Sequence, residues 1–313
     1  MPSPGIKELT TNRRYGIIGT TGTGKSNTTY YLLDRLRRGK YPVIVLDHKG
    51  EYAGITDVHN VRARDINPHE LPIKLRNSGA SVVVDLRGLD NGPAWVGAFI
   101  ETCLKLPRNV PALVVIEEAH NYAPQKGKNP PSKIPINRMA AEGRSLGYGL
   151  LVVTQQCQKI DKDLISQAGA LYIHRHQFKT DLAYLSELVG DDGAGIIRAM
   201  GTGEVYYYDL DKAEISRFKM PLVDKKTVGT TPQAQTSNEA PGSWDAAPFW
   251  SRPLEAVQGP PEPITEGGAG TGIIILSIIV VVIILAAGVW LFKKWSHIDD
   301  NIKNIDPGGG LNW

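Results

Sequence analysis

The 313-residue sequence predicts an α/β fold with a mostly parallel sheet, and three observations carry that reading. Short continuous apolar runs, such as Val43-Ile44-Val45-Leu46 and Ala112-Leu113-Val114-Val115-Ile116, read as strands buried on both faces. Segments with helical spacing of apolar residues alternate with these runs, as strand–helix–strand units require. The third observation is the stretch Gly19-Thr20-Thr21-Gly22-Thr23-Gly24-Lys25-Ser26, which joins the apolar run 15–18 to the helical segment 27–38.

That stretch has the composition and flanks of a P-loop. Its glycines let the backbone curl so that several N–H groups point at phosphate oxygens, and the following helix adds the positive end of its dipole. Gly19, Thr20, Thr21, Gly22, Thr23, Gly24, Lys25, Ser26 and Asn27 are therefore the candidate nucleotide-binding residues. Lys25 has the reach for the β- and γ-phosphates, and the Ser26 hydroxyl suits a Mg²⁺ coordination place, so ATP and Mg²⁺ are the expected ligands.

Taken in order, the helix over 28–38 carries Tyr31, Leu32, Leu33 and Leu36 on its apolar positions and ends in Arg35, Arg37 and Arg38, where cations suit the dipole. Gly39 is its expected cap. A buried strand follows at 43–47, then a polar turn at 48–52. Residues 53–80, with Pro68 and Pro72, give no clear pattern. Strands are expected at 81–86, 112–116, 149–154, 170–173 and 204–210. Helices are expected at 93–106, 136–146, 162–167, 181–189 and 194–200, with a loop at 121–135. In such sheets ligands bind at the carboxyl ends of the strands, and Gly19, Asp47, Glu117, Glu118 and Gln155 all fall just after strands.

Glu117 and Glu118 close a hydrophobic strand as a Walker B pair does. Glu117 is assigned to the metal and Glu118 to the base that polarises the attacking water. The runs Val114-Val115-Ile116-Glu117-Glu118-Ala119-His120-Asn121, Ala141-Glu142-Gly143-Arg144-Ser145-Leu146-Gly147-Tyr148-Gly149-Leu150, Val152-Val153-Thr154-Gln155-Gln156 and Leu46-Asp47-His48-Lys49-Gly50-Glu51-Tyr52 resemble the motifs of the HerA branch of the HerA/FtsK translocase superfamily, in the same order, over roughly residues 13–210.

The resemblance implies a RecA-like P-loop NTPase core that hydrolyses ATP between subunits of a ring, usually a hexamer, around DNA. It implies that Gln155 is the polar sensor of the γ-phosphate or the attacking water. Arg144 and Arg138, with Arg175 as a third, are then candidates for an arginine that reaches a neighbouring subunit's ATP. The small β-barrel that usually precedes the P-loop in HerA proteins is not expected in this chain, which suits a compact viral or mobile-element motor, such as a packaging ATPase.

The rest of the chain bears on partners. A net charge of +3 does not by itself imply a nucleic-acid partner. The expected double-stranded DNA contact is the basic loop after the Walker B strand, with Lys126, Lys128 and Lys133 touching phosphates without reading sequence. Cys103 and Cys157 have no metal or redox spacing and suggest a reducing compartment. No signal peptide is expected from the polar residues 1–11.

The expected organisation is an ATPase domain over 1–223, a flexible Pro/Gly/Ser/Thr-rich linker over 224–271, a single transmembrane helix over 272–292 and a short polar tail over 293–313. Lys293, Lys294 and Lys303 bias the tail toward the cytoplasm, whereas the ATPase domain belongs where ATP is. The expectation is a single-pass membrane protein with its ATPase domain on the cytoplasmic or virion-interior side. A second reading from a different class is a morphogenesis or secretion ATPase resembling the zonula occludens toxin-like proteins, acting on membrane or coat proteins.

Overall fold

The computed structural model describes residues 10–223, apart from 54, 56, 57 and 128. The expected linker, membrane helix and tail over 224–313 lie outside the described residues, as does Lys128. Among the described residues no helix is long and apolar enough to cross a membrane.

Among the described residues nine strands form one sheet: β1 (Arg14–Ile18), β2 (Val43–Asp47), β3 (His59–Arg62), β4 (Val82–Asp85), β5 (Ala112–Ile116), β6 (Tyr148–Thr154), β7 (Ala170–Ile173), β8 (Glu204–Asp209) and β9 (Glu214–Lys219). Their spatial order is β3-β4-β2-β5-β6-β1-β7-β8-β9. The first seven pair in parallel, and β8 and β9 add an antiparallel edge. The helices are α1 (Lys25–Arg38), α2 (Glu70–Ser78), α3 (Gly92–Leu104), α4 (Lys133–Glu142), α5 (Lys162–Ser166) and α6 (Lys179–Ala199).

Strand alternation divides the core into two clusters. Ala112, Val114 and Ile116 face one cluster, and Leu113 and Val115 face the other. The first cluster takes apolar residues from α2, α3, α4, α5 and α6, among them Leu75, Phe99, Met139, Ile165 and Ile197. The second is closed by α1 through Leu32, Leu33 and Leu36, and by Tyr52, Ile55 and Met220. Both faces are covered, as continuous apolar strands require, but unequally.

Several boundaries differ from the sequence expectation. The unpatterned stretch 53–80 holds the edge strand β3 and the short helix α2, whose apolar face is only Leu71, Pro72 and Leu75 plus the stem of Lys74. α4 begins at Lys133, inside the expected loop, and is followed by a 3₁₀ turn at Gly143–Leu146. The two helices expected over 181–200 follow each other directly within α6, separated at Gly190, whose φ of 77° and ψ of 166° no helix accommodates. β9 had no sequence signal. Its side chains are largely exposed, and it is specified by the hairpin to β8 rather than by burial.

Candidate functional site

The site is built at the carboxyl ends of β1, β2, β5 and β6. Because β1 lies between β6 and β7, the turn after it rises between two neighbouring strand ends. Gly19 N donates to Thr154 O at 3.3 Å and Thr20 N to Arg175 O at 3.1 Å, which pins the loop to both neighbours. Gly24, at φ 110°, ends the loop against another backbone. A Cβ there would stand 3.2 Å from the Cα of Gly203. Thr23 Oγ1 donates to Thr20 O at 2.7 Å and closes the loop on itself. The result is a curl of N–H groups over the start of α1, a ready anion site.

A cavity of about 260 Å³ opens over this curl. It is lined by Thr21, Gly22, Gly24, Lys25, Ser26, Asn27, Lys49, Glu51, Glu117, Glu118, Val153, Gln155 and Thr202. The two glutamates, the loop lysine and the expected sensor glutamine thus share one space. Lys25 Nζ donates to Thr20 O at 3.0 Å, and burial, reinforced by the nearby Lys49 ammonium, pushes its pKa down to about 8.

Around the acidic pair the geometry is explicit. Glu118 stands in the left-handed region at φ 46° and ψ 46°, a costly conformation for a residue with a Cβ, and this turns its carboxylate off the strand line. Gln155 Nε2 donates to Glu118 Oε1 at 2.5 Å, and Thr21 Oγ1 donates to Gln155 Oε1 at 2.6 Å. The chain Thr21–Gln155–Glu118 therefore links the phosphate loop to the acid at the end of β5. Lys49 forms an ion pair with the same Glu118 oxygen, and His120 Nδ1 lies 3.4 Å from the other and 3.0 Å from Thr154 Oγ1. Glu118 Oε2 is buried with no hydrogen-bond partner.

Glu117 is buried beside Asp47. Burial, with the Asp47 charge next, pushes the Glu117 carboxyl up to about 9. Asp47 is fully buried and accepts N–H groups from Lys49, Gly50, Glu51 and Tyr52 at 2.8–3.2 Å, so it organises the polar turn after β2. That turn carries Lys49 and Glu51 to the cavity. Ser26 Oγ donates to Glu51 Oε2 at 2.6 Å. Ser26, Glu51 and Glu117 form an oxygen-rich wall of the cavity of the kind a hard divalent cation takes, so the donor set fits Mg²⁺.

Other expected residues are placed differently. Asn27 lines the cavity, but its side chain is engaged by the segment after β9: Nδ2 donates to Pro221 O at 2.9 Å and Val223 N donates to Oδ1 at 3.0 Å. Arg138 and Arg144 do not line the cavity. Arg138 is exposed and pairs with Glu101 at 3.3 Å and Glu142 at 3.5 Å. Arg144 is exposed before the start of β6, whereas the cavity lies at that strand's end. Arg175 is at the loop itself, accepting the Thr20 N–H and hydroxyl through its carbonyl.

Of the expected DNA-contacting lysines, Lys126 is exposed. Lys133 is engaged within the fold: its Nζ donates to Pro124 O at 2.8 Å and pairs with Asp161 at 2.9 Å, because it opens α4 rather than lying in the loop.

Sequence reasoning missed Lys49, Thr202 and His174. Lys49 had a signal, a cation two residues past a buried strand-end aspartate. Thr202 had none, since only the approach of Gly203 to the phosphate loop brings it in. Gly203 N donates to Thr23 O at 2.9 Å. His174 is fully buried beneath the loop, with Nε2 2.9 Å from Thr28 Oγ1, and burial pushes its pKa down to about 4.

The family model described as "Helicase HerA, central domain" matches residues 7–98, which hold the phosphate loop and the Asp47 turn. The chain is 39% identical over 97 residues to the DNA double-strand break repair helicase HerA of Pyrococcus furiosus, covering 30% of this chain and 17% of that protein. It is 29% identical over 125 residues to the HerA of Saccharolobus solfataricus, covering 39% of this chain and 25% of that protein. The matched segment is thus a quarter or less of the length of these relatives.

Among solved structures, the genome packaging NTPase B204 of Sulfolobus turreted icosahedral virus 2, in complex with ATPγS, has the same fold. Its TM-score is 0.55 at 19% identity, over 68% of this chain and 100% of that chain. VirB4 of Thermoanaerobacter pseudethanolicus gives a TM-score of 0.53 at 12% identity, over 67% of this chain and 89% of that one. The phosphate loop and the Asp47 turn thus lie in a segment similar to the HerA central domain, and the fold is shared with the B204 and VirB4 structures.

Proposed function

We propose that this ATPase couples Mg²⁺-dependent ATP hydrolysis to the movement or packaging of double-stranded DNA, as a ring of six copies held to a membrane by residues 272–292. The single observation that carries the catalytic part is the convergence of Lys25, Glu117, Glu118 and Gln155 on one cavity over the phosphate loop.

In this reading the loop N–H groups and Lys25 hold the β- and γ-phosphates. Ser26 and Glu117 would hold Mg²⁺, which when bound would supply charge neutralisation on the phosphate oxygens. Glu118 takes the proton of the attacking water. Its left-handed turn and its bond to Gln155 set the direction of its carboxylate. Gln155 bridges Glu118 to Thr21 and so registers whether the loop is filled. Lys49, paired with Glu118, is positioned to restrain that carboxylate until substrate charge competes for the ammonium.

DNA as the cargo is supported by what the relatives are named for: the HerA proteins as DNA double-strand break repair helicases and B204 as a genome packaging NTPase. The arginine reaching the next subunit's ATP is assigned to the set Arg138, Arg144 and Arg175. Exposed Arg138 and Arg144, away from their own cavity, suit a role in trans. The membrane anchor rests on the apolar character of 272–292.

The test is ATP hydrolysis by the purified full chain in detergent, with and without duplex DNA, beside particle imaging with nucleotide. The expected result is Mg²⁺-dependent hydrolysis, stimulated by duplex DNA, and closed rings. Hydrolysis that ignores DNA, by particles that never close, would overturn the translocase reading in favour of an assembly ATPase acting on coat or membrane proteins.

A further inference from the structure

Apart from the nucleotide cavity, the fold gathers Cys157, His176 and Asp181 into one buried cluster. They come from three segments: the loop after β6, the loop after β7 and the first turn of α6. Cys157 and His176 are fully buried and Asp181 is 3% exposed. One ligand atom from each lies within 4.8 Å of the others. Cys157 Sγ is 3.3 Å from Asp181 Oδ1, and His176 Nδ1 is 3.6 Å from Asp181 Oδ2, longer than a hydrogen bond.

Neither ring nitrogen of His176 has a hydrogen-bond partner among the described residues. In this fully buried imidazole Nε2 loses its water without replacement, and Nδ1 meets the Asp181 carboxylate no closer than 3.6 Å. A tetrahedral ion with bonds of roughly 2.0–2.3 Å has ligand-to-ligand edges of roughly 3.3–3.8 Å, and the 3.3 Å separation of Cys157 Sγ from Asp181 Oδ1 falls in that range.

We propose that Cys157, His176 and Asp181 form a binding site for a thiophilic divalent cation, zinc foremost. A thiolate, an imidazole and a carboxylate together suit zinc, and the sulfur disfavours magnesium and calcium. On binding, the Cys157 S–H bond breaks, its proton passes to solvent and an S–metal bond forms. His176 supplies Nδ1 and Asp181 a carboxylate oxygen, leaving the fourth position to water. A nucleophilic Cys–His–Asp site does not fit, since all three groups are buried and the thiol contacts Asp181 rather than the imidazole.

The position gives the ion a consequence. Cys157 lies two residues past Gln155, and His176 lies two residues past His174, which supports α1 through Thr28. The ion would clamp the ends of β6 and β7 to α6, directly behind the sensor side of the nucleotide cavity.

The experiment is metal analysis of the full chain in detergent, followed by replacement with Co²⁺. Wild type is expected to retain about one zinc per chain after dialysis. With Co²⁺ it should show the thiolate-to-cobalt charge-transfer band and the strong visible bands of a tetrahedral centre. Cobalt in the magnesium place, among oxygens, gives neither. Cys157→Ala and His176→Ala should lose the bands, and Cys103→Ala, a buried cysteine elsewhere, should keep them.

Because a variant can fail to fold, stripped wild type carries the test alone: zinc should raise its melting temperature by several degrees. Absence of zinc with no thiolate band, absence of a melting shift, or a band that follows Cys103 instead of Cys157 would each overturn the site.

Discussion

Glu118 concentrates the residue-scale chemistry. It is buried and strained, with one oxygen held by both Gln155 and Lys49 and the other without a hydrogen bond, 3.4 Å from His120 Nδ1. Replacing it with glutamine keeps the shape and the hydrogen bond but removes the proposed proton acceptor. Glu118→Gln is expected to lower kcat by roughly 10²–10⁴-fold while ATP binding persists, measured by steady-state hydrolysis beside equilibrium nucleotide binding. A variant that loses binding and hydrolysis together would point to a structural role for this carboxylate. Lys25→Ala is the contrasting case. It removes the cation that donates inside the phosphate loop, and both binding and hydrolysis are expected to fall.

The elements explain why Lys133 is not available as the sequence suggested. It begins α4, and the Asp161 carboxylate it meets lies in the loop ahead of α5, so the pair ties two elements of the same core. Burial alone would raise the Asp161 pKa, but hydrogen bonds from Lys133, Asp163 N–H and Asn137 hold it below the usual carboxylate range. A carboxyl with a depressed folded pKa stabilises the fold above its unfolded value, near 4, and that contribution disappears as pH falls through the folded value. Lys133→Met is therefore expected to cost about 1–2 kcal/mol at pH 7. The gap to wild type should narrow as pH falls below the usual carboxylate range. Thermal melts across that range test it, and a gap independent of pH would remove the ion pair as its cause.

At the scale of the whole molecule, the proposed DNA contact reduces to the exposed Lys126, together with Lys128, which lies outside the described residues. Charge reversal at both is expected to reduce DNA-stimulated hydrolysis several-fold, with a weaker salt dependence, and to spare basal hydrolysis. Unchanged stimulation would take this loop out of the mechanism. The proposed anchor makes a separate prediction. The full chain should float with lipid vesicles, and a chain ending at 223 should not, while hydrolysis without DNA is the same in both.

Much of this protein was legible before any coordinate. Val43-Ile44-Val45-Leu46, Ala112-Leu113-Val114-Val115-Ile116 and the glycine loop announced a parallel sheet with a phosphate cradle, because local periodicity and turn chemistry depend only on neighbours along the chain. The acids at 117 and 118 were legible for the same reason. What the tertiary structure decided is everything that depends on distance across the fold. Strand order placed Gln155 against Glu118 and Gly203 against Gly24. It committed Lys133 to Asp161 and Asn27 to the segment after β9. It brought Cys157, His176 and Asp181 together although their spacing in sequence announced nothing. A sequence states which groups are available; only packing fixes which of them share a dry space, and in such a space charge, proton and metal binding are set by those neighbours.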